Sequence, residues 1–283
     1  MTALRKRMIE DLRIRNYSPR TIRRYVEVVA QISGHFNKAP DRLSPEDVRS
    51  YLVFQVERKV SVSLLKQIVC AIRFLFRRTL GRDFPTHLIP FPREERRIPV
   101  ILSMDEVNAV VQSTTNLKHR TLFAIAYGTG ARLAELCRLK ISDIDRQRMV
   151  IVIRQGKGHR DREVPLSPQL LDLLETYWRK YRPRAWLFPA RSGDHHINRS
   201  TFQQACVVAR KAAGLTKLAT PHSFRHAFAT HLLDSNVNIR VVQELLGHKS
   251  LRTTMRYTHV TAEGIEAARR AIASLPAFVN LAR

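Results

Sequence analysis

From Leu4 to Leu75 the hydrophobic positions recur three and four residues apart, the spacing of helix faces. Leu4, Met8 and Leu12 share one stripe and predict a helix over residues 2–15. Ile22, Tyr25, Val26, Val29 and Ile32 form a second. That helix should open at Ser18-Pro19, where a hydroxyl can take a free N–H and proline occupies a position whose missing N–H costs nothing. Ser44-Pro45-Glu46-Asp47 repeats the start signal, with acids where the helix dipole favours them. A fourth stripe runs through Leu64, Leu65, Ile68, Val69, Ile72 and Leu75 and stops at Gly81. The opposite faces carry Arg5, Arg7, Arg23, Arg24, Lys66, Arg73, Arg77 and Arg78, so this is a small, basic, all-helical module. Residues 84–100 break the pattern with four prolines and a run of charge, the composition of an extended linker. The division expected is residues 1–84, a linker over 85–100, and a second domain over 101–283.

The second domain begins with Ser103-Met104-Asp105-Glu106, a capping box ahead of an apolar helix. Another helix, 117–128, ends in Gly128-Thr129-Gly130, and a third starts near Ala131 with Leu133, Leu136 and Leu139. Residues 149–154 are a β-branched run, 155–159 a turn, and 162–166 a returning strand, which together predict a hairpin. Helices are expected at 167–180, 199–213, 222–234, 238–246, 250–258 and 261–274. The fold class is therefore mainly α with one small antiparallel sheet.

Charge sharpens this picture. Lys plus Arg number 49 against 24 Asp plus Glu, a net charge of +25 over 283 residues, which favours a polyanionic partner. Arginine outnumbers lysine 38 to 11, and its planar fork fits phosphate bidentately. Both parts share the surplus: residues 1–100 carry net +11 and the rest net +14. The alternative is a solvated basic surface. The three cysteines, Cys70, Cys137 and Cys206, lie far apart in apolar helical patterns and read as buried thiols in a reducing compartment. With no signal-like or membrane-spanning stretch in view, a soluble, cytoplasmic protein is expected.

Four places carry candidate chemistry. His222 and Arg225, in Thr220-Pro-His-Ser-Phe-Arg-His226, are three apart at a predicted helix start and share a face, a credible phosphate site. The bland alternative is a capping His beside a surface Arg. His222 and His226 also have the spacing of zinc ligands, but the string lacks the glutamate of the metalloprotease motif and places a guanidinium between them, which disfavours a metal. Arg132 follows Gly128-Thr-Gly130 and is expected in the first turn of a helix, with Glu135 able to hold it; a surface ion pair is the alternative. Lys157 sits between two glycines at the hairpin tip, able to reach a backbone or groove but without the spacing of a P-loop; a solvated turn lysine is the alternative. His248 follows Gly247 at a helix exit, and Tyr257 lies in the basic stretch Arg256-Tyr-Thr-His259. Adjacent cations could stabilise its phenolate; a half-buried core tyrosine is the alternative.

The order Arg, Lys, His-x-x-Arg, His, Tyr, in the strings GTGARLAEL, GKGHRDREVPL, TPHSFRHAFATHLL, LLGHKS and MRYTH, resembles the tyrosine recombinase (phage integrase) family, of the Xer-like and mobile-element type. The resemblance spans nearly the whole chain, with SPRTIRRY and the four-helix module similar to that family's SAM-like core-binding domain. It implies site-specific DNA cutting and rejoining through a 3′-phosphotyrosine. Tyr257 would be the nucleophile, Arg132 and Arg225 the phosphate clamp, His222 the general base, Lys157 the general acid and His248 a phosphate ligand, with Glu135 a structural partner. No metal or other cofactor is implied. Double-stranded DNA would be the partner, gripped by both basic modules and bound by a homotetramer on paired sites, with a second recombinase or accessory protein as a further candidate. The stripe Ile265, Ala268 and Ile272 would serve subunit contact, or fold back on its own domain. The rivals are a DNA-binding module without catalysis, a type IB topoisomerase and a zinc hydrolase. The intact six-position set and the N-terminal module argue against the first two, and the missing ligand pattern against the third.

Overall fold

A computed structural model describes residues 2–82, 89–93, 100–154, 161–248 and 250–255. The chain divides into two compact units, Met1–Arg97 and Ile98–Arg283.

The first unit consists of α1 (Ala3–Ile14), α2 (Pro19–Phe36), α3 (Pro45–Glu57) and α4 (Val62–Phe74), the last prolonged by a π turn over Leu75–Thr79. Each start is chemical. The hydroxyls of Thr2, Ser18, Ser44 and Ser61 accept the backbone N–H three residues on. At α3 Asp47 completes the box by accepting from the Ser44 N–H at 2.9 Å. The predicted stripes turn inward: Met8, Leu12, Val29, Ile32, Ile68, Val69, Ile72 and Leu75 are buried together with Val48 and Tyr51. Ile89, within the proline-rich stretch, is buried in the same core. Its carbonyl accepts from Arg73 Nη2 at 2.6 Å, and the Arg73 guanidinium lies 4.2 Å from the Phe91 ring centroid. Arg73 is thus half-buried rather than on the open basic face that its spacing predicts.

In the second unit α5 (Met104–Ser113), α6 (Leu117–Thr129) and the short α7 (Leu133–Cys137) precede β1 (Ile144–Asp145), β2 (Val150–Ile153) and β3 (Arg162–Pro165); α8 (Pro168–Tyr181), α9 (Arg199–Ala212), α10 (Pro221–Asp234), α11 (Ile239–Leu246) and α12 (Leu251–Thr254) follow. The predicted hairpin forms, with Ile153 opposite Arg162 and Val150 opposite Pro165. Pairing of Ile144 with Ile151 adds a third antiparallel strand, too short to leave a periodic signal. The core is built around α6 and α10: Phe123 stacks on Phe224 with centroids 5.5 Å apart and planes 13° apart, and Phe202 of α9 closes on the same ring. Leu122, Ile125, Ala126 and Ala227 fill the remaining contact between helices buried on most sides.

Two details differ from expectation. Cys137 and Cys206 are buried, and burial pushes their thiols up to about 11 and about 12, but Cys70 is half-buried. Leu139 lies beyond the end of α7 and not on it, because α7 stops after five residues; the Leu139 carbonyl accepts the Leu187 N–H, and both side chains are buried in the main core. No helix among the described residues is long and apolar enough to cross a membrane.

Candidate active site

The site is assembled where α6 ends, α7 begins, α10 begins and α11 ends. Gly130 caps α6 in the left-handed conformation, φ +56°. A side chain there would overlap the Phe228 ring, so both the turn and the packing require glycine. The turn delivers Arg132 to the N-cap of α7, one position before the first turn where the sequence pattern puts it. The reason is Glu135: its Oε2 accepts the Arg132 backbone N–H at 2.9 Å, which satisfies one of the free N–H groups at the helix start. Glu135 Oε1 accepts from Arg132 Nη1 at 2.8 Å, and Oε2 also accepts from Arg162 Nη2 at 2.7 Å. Glu135 is 7% exposed. Burial alone would raise its pKa, but the hydrogen bond and charge of Arg162 and the two bonds from Arg132 more than offset this and hold it down to about 2.

Arg225, on the first turns of α10, is 4% exposed. Its Nη1 donates to the Gly130 carbonyl at 2.5 Å and its Nη2 to the Leu246 carbonyl at 2.7 Å. Nη2 also lies 2.8 Å from His248 Nε2. A guanidinium cannot accept, so Nε2 is the acceptor and the imidazole proton sits on Nδ1. Nδ1 is 2.9 Å from Thr254 Oγ1, which completes the chain Arg225–His248–Thr254. Gly247, at φ +61°, ends α11 and turns the chain to His248, whose carbonyl accepts from Gln243 Nε2 at 3.0 Å. Arg132 Nη2 donates to the Gly247 carbonyl at 3.1 Å. The two guanidiniums named from the sequence therefore hold consecutive carbonyls at one helix end.

His222 stands one turn before Arg225 and is open to solvent on one side. Partial burial first, then the charges of Arg225 and Arg132, push its pKa below the ordinary histidine value. It is therefore neutral over a wider pH range and able to take a proton. The structure thus brings Arg132, Glu135, His222, Arg225 and His248 to one locality. Lys157, Tyr257 and the C-terminal stripe at Ile265, Ala268 and Ile272 lie outside the described residues. Sequence reasoning missed Arg162 and Thr254. Arg162 had a usable signal: it shares strand parity with the buried Val164 and Leu166, so an arginine sits on the inward face. Thr254 had none. Among the described residues, no group of three or more His, Cys, Asp or Glu side chains could hold a metal ion.

A clustered pair of guanidiniums with two imidazoles suits chemistry at a phosphate, and comparison with known proteins decides whose. Residues 101–263 match the Phage integrase family, and residues 4–86 match the Phage integrase N-terminal SAM-like domain. The chain belongs to the phage integrase family of tyrosine recombinases. Among curated relatives, an integrase/recombinase of Escherichia coli is 37% identical over 316 residues, covering 96% of this chain and 93% of that one. The Yersinia pestis tyrosine recombinase XerD is 36% identical, covering 81% and 82%. Among solved structures, the XerA recombinase is 30% identical with a TM-score of 0.57, covering 97% of this chain and 100% of that one. The lambda integrase on a core site superposes with a TM-score of 0.74 at 20% identity, covering 93% and 96%, and shows the shared fold. The recombinase is thus a site-specific DNA-cleaving and rejoining enzyme with a SAM-like N-terminal domain and an integrase catalytic domain. The family is that of the site-specific recombinases and not one of the zinc hydrolases or type IB topoisomerases named as rivals.

Proposed function

We propose that the recombinase cuts each DNA strand through Tyr257, with Arg132, Lys157, His222, Arg225 and His248 completing the active site. The Tyr257 hydroxyl oxygen attacks the scissile phosphorus as His222 takes its proton. The bond to the 5′-oxygen breaks, Lys157 supplies the proton to that oxygen, and a 3′-phosphotyrosine remains. One phosphoester replaces another, so a 5′-hydroxyl from the partner strand reverses the step without an external energy source. Negative charge builds on the non-bridging oxygens, where preorganised cationic donors lower the barrier most. The observation that supports this reading best is the joint placement of Arg132 and Arg225 on the consecutive carbonyls of Gly247 and Leu246, with His248 bonded to Arg225.

Duplex DNA is the substrate in this reading. It is supported by the surplus of +25 and by the folds of the Tn1549 transposon integrase in complex with transposon right end DNA and of XerH bound to difH. The basic module at residues 1–84 and the catalytic domain at 101–283, joined by 85–100, both contact the duplex. Four copies assemble on two paired sites in the cytoplasm, with or without a second recombinase or accessory protein. The outcome is integration, excision or resolution of mobile DNA.

The test is to trap the intermediate. Wild type and Tyr257→Phe are incubated with nicked duplexes drawn from the DNA flanking the chain's own gene, in EDTA, and run on denaturing gels. A protein–DNA adduct with wild type alone is expected. An adduct that persists in Tyr257→Phe, or that requires a divalent metal, overturns the reading.

A further inference from the structure

We propose that Arg162 is a positioning residue that locks the Arg132–Glu135 pair and the His248 turn into one frame, a claim that rests on the assignment of Arg132 and His248 above. Arg162 opens β3, five residues after Lys157. Its side chain is 7% exposed. One arm, Nη2, reaches Glu135 Oε2 at 2.7 Å, and the same carboxylate holds the Arg132 backbone and guanidinium. The other arm, Nε, donates to the Leu245 carbonyl at 2.6 Å.

The second contact shows a pattern. Leu245, Leu246 and Gly247 carry three consecutive carbonyls at the end of α11, where helix carbonyls lack partners and the dipole is negative. Each is taken by a different arginine from a different element: Leu245 by Arg162 of β3, Leu246 by Arg225 of α10, Gly247 by Arg132 before α7. His248 is the next residue. Arg162 is the member of the three that faces the carboxylate from the sheet side and sits below the turn. A Cβ on Gly247 would lie 3.2 Å from its Cδ and Nη1, so the turn rests directly on this side chain. A buried ion pair of this kind adds little net stability, because desolvating two charges cancels much of their attraction. What the arrangement secures is geometry: Arg132, the His248 turn and the strand that follows Lys157 are held as one body.

The test uses the full-length chain with Arg162→Met and Arg162→Lys. Histidine side-chain NMR of the free protein reports the site without DNA. Single-turnover cleavage on the site mapped in the Tyr257 experiment reports function, with affinity measured on the same duplex. In Arg162→Met the His248 and His222 resonances are expected to shift while signals of the first unit stay put. Affinity should hold within about threefold, and the cleavage rate should fall about a hundredfold, the scale of a misplaced catalytic group. Arg162→Lys keeps the charge beside Glu135 but cannot reach both acceptors, so it should recover about tenfold of that loss. If Arg162→Met does not fold, Arg162→Lys decides: a rate within threefold of wild type with unmoved histidine signals overturns the proposal. So does a loss of cleavage, in Arg162→Lys or in a folded Arg162→Met, that merely follows loss of DNA affinity. If wild type forms no adduct while the histidine signals move in the variants, the Tyr257 reading fails and the positioning role stands.

Discussion

Arg225 sets the character of the site at the scale of the residue. Its two terminal nitrogens reach Gly130, Leu246 and His248, which lie on two separate segments of chain. A lysine ammonium at the same place has no planar fork to span them. His222 is tuned by the same charges. Its pKa lies below the ordinary histidine value through partial burial and through Arg225 and Arg132. A general base works in its neutral form, which predominates above its pKa. The acid limb of the cleavage-rate profile should therefore be centred below the ordinary histidine value, with activity retained as pH drops through 6.5. Single-turnover rates across pH check this; an acid limb centred above 6.5 would count against it. That Arg132, His222, Arg225 and His248 belong to one locality was legible from motif order and helix spacing, whereas the roles proposed for them come from the resemblance to the family. Arg162 was hidden by its neighbours: beside the exposed Glu163 it passes for a surface strand charge, and only the parity of Val164 marks it as inward. Thr254 became visible only through the fold, because its partner His248 is six residues away across a turn.

Helix ends do the same work at the scale of the element. The starts of α2, α3, α5 and α8 were readable because serine caps them all and proline follows in three. Less legible were the pieces too short for periodicity: α7, with five residues, and β1, with two. Both are fixed by partners elsewhere, Glu135 with its arginines and Ile151 on the adjacent strand. The end of α6 carries the sharper prediction. Gly130→Ala must hold a left-handed backbone, costing about 1–2 kcal/mol, and must displace Phe228, which adds about 1–3 kcal/mol as overpacking. Chemical denaturation should show a loss of about 2–5 kcal/mol, and cleavage should fall further than folding alone explains, because the Gly130 carbonyl anchors Arg225. A stability change under about 0.5 kcal/mol, within the scatter of ordinary surface substitutions, would show that the turn tolerates a side chain.

The whole molecule is defined by its charge and its two units. With a net +25 shared between both units, phosphate neutralisation should supply much of the affinity for duplex DNA. If six to ten phosphates are contacted, the affinity should drop about 10³- to 10⁵-fold between 50 and 200 mM salt. Titrations by fluorescence anisotropy measure the slope; an affinity flat across that range would mean that the surplus charge faces away from the DNA. Composition made this legible, since charge needs no fold to be counted, whereas the side chains that meet bases depend on the docked geometry. The most direct measurement is mass spectrometry of the trapped complex. After nuclease and trypsin digestion, the account predicts a nucleotide 3′-phosphate on the peptide that follows Arg256 and begins with Tyr257, with fragment ions placing the added mass on that tyrosine. The same mass on any other residue would contradict it.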